Sequence, residues 1–205
     1  MKTLAICSMA VLLHAGVAET QDKVLFSDDF SVRSDRWDVG EWENGTARYV
    51  GETMHVRSIT APGNGSTFVN YDRTFTDHVI QVETTLVGGT DDNWQTVACR
   101  MTSTGYYDLG ISADGYFLLD VWVDGRKLNR SLGPTRSRHI RLGSNVVNVL
   151  RVECVGNTLR LSVNGHFLAE INDDNHANGE IGLSVDSLGD SYSEVAFDNL
   201  VVTAQ

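Results

Sequence analysis

GYYDLGISADGYFLLDVWVDGRKL (105–128) decides the fold class, because it reads as strand, turn, strand, turn and strand. Its turns are Asp114-Gly115 and Asp124-Gly125. Asp-Gly tolerates positive φ at both central positions, so the turn's twist matches that of the flanking strands. A second stretch, NVLRVECVGNTLRLSVNGHFLAEI (148–171), repeats the pattern around Gly156-Asn157 and Asn164-Gly165. Reading outward, Val24–Ser27 opens the domain, Ser31 to Gly45 reads as a long ordered loop holding Trp37 and Trp42, and His78–Val87 is a longer strand. The whole gives about thirteen short strands. No apolar 3.6-residue period persists between proper caps, so no helix is expected. An antiparallel all-β sandwich of two sheets follows.

Residues 1–18 read as a separate object. Lys2 supplies a positive start, Leu4 to Leu13 an apolar run, and Gly16-Val17-Ala18 a small-residue end. That is the layout of a secretory signal peptide, cleaved near Ala18, and too short to span a hydrocarbon core of ~30 Å. The expected product is a secreted or periplasmic chain, 19–205, of one domain. The chain carries 16 basic and 27 acidic side chains, a net of −11. Nucleic acid and anionic membrane both need cationic contacts, so neither is an expected partner. No second apolar run offers a membrane anchor. Cys99 and Cys154 remain after the leader is removed, and strand alternation points both inward. An even count in an exported chain favours a disulfide, with a buried pair of free thiols as the alternative.

Strand period two also predicts a face. Val97, Cys99 and Met101, Tyr107, Leu109 and Ile111, and Phe117, Leu119, Val121 and Val123 turn to the core. The opposite face then collects Trp94, Thr96 and Arg100 from one strand, Tyr106 and Asp108 from the next, and Tyr116, Asp120 and Trp122 from the third. Glu83 would join them if His78–Val87 pairs in the same sheet. Aromatics mixed with carboxylates suit carbohydrate, since rings stack on sugar C–H faces while polar groups take hydroxyls. High β-propensity of Tyr and Trp is the plainer explanation of the same pattern.

The segments NVLRVECVGNTLRLSVNGHFLAEI, GEIGLSV (179–185) and VAFDNLVV (195–202), with the opening LFSDDFS (25–31) and Trp37, resemble the concanavalin-A-like lectin/glucanase superfamily. The likeness is to its laminin-G-like and 3-keto-disaccharide-hydrolase-like domains of exported bacterial proteins, and covers Val24 to Val202. It implies a jelly roll with the ligand on a concave face or on rim loops. It also implies, in some relatives, a structural calcium between the first and last strands, for which Asp28, Asp29 and Asp198 with Asn199 are the expected oxygen donors. Asp173-Asp174-Asn175 and Gly89 to Asn93 are further Asx-rich candidates.

A laminarinase-type Glu-x-Asp-x-x-Glu strand is missing, which weighs against retaining hydrolysis of that kind. Carboxylates on separate strands could still act together, Glu83 with Asp108 or Asp120. Gly-x-Ser-x-Gly is absent and the histidines are scattered, so neither a serine triad nor a zinc site is expected. The expected function is a non-catalytic glycan-binding module, lectin-like, using Trp94, Arg100, Tyr106, Asp108, Tyr116, Asp120 and Trp122. A sugar-active hydrolase of the 3-keto-glycoside or glucanase-like kind and a protein-binding adhesion domain are the alternatives.

Overall fold

A computed structural model of the chain describes residues 23–59, 66–189 and 191–205. The expected leader and its cleavage near Ala18 lie outside the described residues. The described residues form a sandwich of two antiparallel sheets. In chain order the strands are β1 (Val24–Asp28), β2 (Gly40–Trp42), β3 (Gly45–Val50), β4 (Thr53–Ile59), β5 (Thr67–Phe75) and β6 (His78–Gly89). Then follow β7 (Asn93–Thr102), β8 (Gly105–Ile111), β9 (Tyr116–Val123), β10 (Arg126–Lys127) and β11 (Leu132–Arg136). The last are β12 (Asn148–Val155), β13 (Thr158–Val163), β14 (His166–Asn172), β15 (Gly179–Ser187) and β16 (Tyr192–Ala204). The described residues thus hold sixteen strands against the thirteen expected, and the surplus lies in short ribbons such as β2 and β11. The stretch read as a loop from Ser31 to Gly45 contains β2.

One sheet has nine strands, in the order β14-β13-β12-β6-β16-β4-β3-β2 with β1 also on β16; the other has seven, β10-β9-β8-β7-β15-β5 with β11 also on β9. The hairpin turns work as their sequences dictate. Asp124 and Gly125 have φ of 49° and 71°, and Asn164 and Gly165 have 51° and 78°, so both central residues of each turn are left-handed. At 114–115 and 156–157 only the glycine takes positive φ.

The core lies between the sheets. From the seven-stranded sheet come Val97, Leu109, Ile111, Leu119 and Val121, and from the other Met54, Val56, Ile80, Val82, Leu150 and Val152, all fully buried. Burying each such side chain is worth ~1.5–3 kcal/mol. Cys99 and Cys154 form a disulfide, and since they sit on β7 and β12 it links one sheet to the other. No helix among the described residues is long and apolar enough to cross a membrane.

Candidate functional site

The outer face of the seven-stranded sheet carries the groove. β8 and β9 pair with Tyr106 opposite Trp122, Asp108 opposite Asp120 and Gly110 opposite Leu118. Because their neighbours Tyr107, Leu109, Leu119 and Val121 fill the core, alternation turns the even-numbered residues outward. β7 adds Trp94, whose partner across the ladder on β15 is Asp186. Trp94, Tyr106, Asp108, Asp120, Trp122 and Asp186 line one cavity of ≈ 360 Å³. Lys127, Ser66, Leu118, Pro134 and Leu188 complete its walls. Tyr106 and Trp122 stack with ring centroids 6.0 Å apart and planes 17° from parallel, and Phe68 meets Tyr106 edge-on at 5.4 Å.

This platform is braced from behind. The His176 ring nitrogen Nε2 lies 2.8 Å from the Trp122 carbonyl oxygen, while the His176 amide donates to the Tyr107 hydroxyl. That hydroxyl in turn donates to Asp173 at 2.7 Å, and Arg130 pairs with Asp173 at 2.6 Å. Such a chain of satisfied polar contacts fixes the strand that presents the indole.

The three carboxylates are held against their ordinary preference. Asp108 is only 8 % exposed and Asp120 only 5 %. Burial pushes Asp108 up to about 7; the Thr96 hydroxyl opposes this, the charges of Asp120 and Asp186 add to it, and Lys127 offsets part. Asp120 is raised by burial, with the Lys127 ammonium 3.0 Å from its Oδ2 holding it back. Asp186 is raised by burial too, against the Ser187 amide and the Ser66 hydroxyl. Asp108 Oδ1 and Asp120 Oδ1 are buried without a hydrogen-bond partner in the protein. Burial, together with the same three negative charges, keeps the Tyr106 phenol protonated well beyond its usual range.

Tyr116 belongs to an adjoining cavity of ≈ 170 Å³ with Asp92, Ser112 and Asp114; the two cavities share Trp94, Pro134 and Leu188. Arg136 lies over the Tyr116 ring at 5.8 Å. From Tyr116 to Trp122 the groove runs roughly 20 Å along β9 at ~3.3 Å per residue.

Two expected members do not belong to this face. Arg100 is 1 % exposed. A register irregularity in the β7–β8 pairing and a φ of 52° at Arg100 break the alternation there. Its guanidinium instead donates to the carbonyls of Thr76, Cys154, Gly156 and His176 and to Asp77 Oδ1. It clamps the end of β12 to β7. Glu83 sits on β6 opposite Val149 and Asp198. It therefore belongs to the nine-stranded sheet, while Ile80 and Val82 beside it face the core. Glu83 cannot partner Asp108 or Asp120.

The terminal strands do pair, with Asp28 opposite Leu200. Asp28, however, accepts from the Phe30 amide at 2.8 Å and from Trp37 Nε1 at 2.9 Å, so its two oxygens anchor the loop that follows. Asp29, Ser31, Glu52, Asp198 and Asn199 line a separate cleft of ≈ 330 Å³. Asp198 is raised there, first by burial and then by the charges of Glu83, Asp29 and Glu52, against the Asn199 amide. Asp29, Glu52 and Asp198 offer hard oxygens of the type Ca²⁺ takes, and one oxygen of Asp29 already accepts from the Ser31 amide and hydroxyl. Among the described residues the one trio of metal-ligating types with donor atoms within 4.8 Å of one another is His78, Cys99 and Cys154. Its sulfurs are spent on the disulfide. Asp173 accepts from Tyr107 and Asn175 and pairs with Arg130; it serves the brace behind Trp122.

No family model matches this chain, and no curated protein does. Solved structures do. A carbohydrate-binding module, CBM66 from Bacillus subtilis, superposes with a TM-score of 0.67 at 16 % identity over 82 % of this chain and 96 % of its own. A Bacillus licheniformis β-glucanase gives 0.64 at 12 % identity over 88 % and 97 %. A β-1,3-1,4-glucanase (lichenase) from a mouse hindgut metagenome gives 0.66 at 12 % over 88 % and 99 %. At such identities the likeness establishes the fold alone, the two-sheet β-sandwich that these structures share with this chain.

Proposed function

We propose that this jelly roll is an exported glycan-binding module that reads its ligand in the groove of the seven-stranded sheet. One observation carries the proposal: Trp94, Tyr106 and Trp122 stand around the same cavity as Asp108, Asp120 and Asp186. Indole and phenol rings offer flat apolar faces to sugar C–H groups, and the carboxylates accept hydroxyl hydrogen bonds. The disulfide suits an oxidising compartment. A groove that continues past Trp94 to Tyr116 suits an oligosaccharide rather than one ring. Stacking of this kind gives micromolar to millimolar affinity, on the order of −4 to −8 kcal/mol. A glycan array tests it. Trp122→Ala and Tyr116→Ala should each lose retention while melting within a few degrees of the parent, and unchanged retention would defeat the assignment.

Hydrolysis is the second reading, favoured by one feature. A buried carboxyl whose pKa is about 7 holds a proton at the pH where a general acid must. Asp108 would donate it, with Asp120 on the neighbouring strand as the second carboxylate. Incubation with polysaccharides and keto-disaccharides decides: turnover abolished by Asp108→Asn supports catalysis, and no turnover supports binding alone. The proposal also includes one structural calcium held by Asp29, Glu52 and Asp198 with Asn199, with Asp28 left to its structural role.

A further inference from the structure

The charge of the groove narrows the ligand, on the premise that the groove binds glycan. Three carboxylates line the main cavity and Lys127 is the one cation among its described lining residues. That ammonium is committed to Asp120 Oδ2. Two further carboxylates, Asp92 and Asp114, line the adjoining cavity. General acidity of the chain does not explain this arrangement. Carboxylates placed for solubility stay in water, whereas Asp108 and Asp120 are 8 % and 5 % exposed with one oxygen each lacking a partner. An unpaired buried carboxylate costs far more than a hydrated one, and a ligand supplying the missing charge recovers that cost.

We propose that the groove selects glycans whose sugars carry free ammonium groups, that is, de-N-acetylated amino-sugar oligomers, over neutral ones. An ammonium brings three hydrogen-bond donors and a positive charge to a groove lined by Asp108, Asp120 and Asp186. The faces of Trp94, Tyr106 and Trp122 attract the same cation through their quadrupoles. A hydroxyl could donate to these oxygens but would leave the groove's excess of negative over positive charge unmet. An N-acetyl group removes the cation and adds a carbonyl acceptor, to which an ionised carboxylate has no proton to donate.

Calorimetric titration at pH 7 with four probes tests this: a tetramer of glucosamine, a tetramer of N-acetylglucosamine, a neutral glucose tetramer and tetralysine. The glucosamine tetramer should bind at least about tenfold tighter than either uncharged tetramer. Asp186→Asn, which leaves the Lys127–Asp120 pair intact, should cut that ratio to about threefold or less. Neutral tetramers binding as tightly as the amino sugar would overturn the charge preference and leave glycan binding standing. No binding by any tetramer would overturn both. Tetralysine binding as tightly as the glucosamine tetramer would overturn the carbohydrate assignment in favour of a cationic peptide.

Discussion

Asp108→Asn should make the protein more stable at alkaline pH and leave it unchanged in strong acid. The ordinary aspartate pKa of 3.8 rises to about 7 at Asp108, chiefly through burial. Each factor of ten in proton affinity is worth ~1.4 kcal/mol, so the ionised carboxylate costs the folded state ~4 kcal/mol. The sign follows from proton counting. Between pH 3.8 and about 7 the folded protein holds a proton that the unfolded chain has lost, so stability falls as pH rises through that window and levels off above it. An amide cannot ionise, and the variant escapes the loss. Urea unfolding of parent and variant at pH 5 and pH 8 reads the effect directly. The variant's advantage should grow by ~3 kcal/mol between the two, since part of the cost is already present at pH 5. A variant equally or less stable than the parent at pH 8 would refute the reasoning, for it would mean that the carboxylate is comfortable where it sits. A stabilising substitution in a groove that loses ligand is the expected mark of a functional site.

Arg100→Met should destabilise by about 3–5 kcal/mol in urea, because it strips the donors from the carbonyls of Thr76, Cys154, Gly156 and His176 and breaks the ion pair with Asp77. The protein that remains folded should keep its ligand, and loss of binding without loss of stability would contradict the clamp. Replacing Cys99 and Cys154 together by alanine should cost ~4 kcal/mol, from the chain entropy of a closed loop spanning a separation of 55 residues. The melting point is the readout, and an unchanged one would sink the estimate. Calcium at millimolar concentration should raise the melting point relative to chelator, and Asp198→Asn should abolish the rise; a calcium response that survives in this variant would place the ion elsewhere.

Local pattern makes most of the groove's lining legible in the sequence. Tyr106, Asp108, Asp120 and Trp122 lie on ribbons joined by short turns, where strict alternation decides which side chains turn out. Arg100 failed for a local reason: one residue with φ 52° reverses the phase, and no sequence signal marks a non-glycine position for that. Glu83 failed for a non-local one. Its strand resembles its neighbours in pattern, but β6 pairs with β12 and β16, and pairing over such separations leaves no trace in composition. Asp186 is hidden for the same reason, since β15 inserts between β7 and β5. The signal was present nonetheless. Ile181, Leu183 and Val185 alternate inward, which sends Asp186 outward, and only the identity of the sheet was missing. The calcium set was half legible: the pairing of β1 with β16 follows from the resemblance, whereas the capture of Asp28 by Trp37 depends on how the intervening loop folds back.

Titrating an oligosaccharide that binds into nitrogen-15-labelled protein, while following the four indole N–H resonances, tests the central claim most directly. Trp94 and Trp122 should shift together along one binding curve, and the buried Trp37 and the distant Trp42 should stay still. Shifts confined to Trp42, or saturable binding with Trp94 and Trp122 unmoved, would contradict the account.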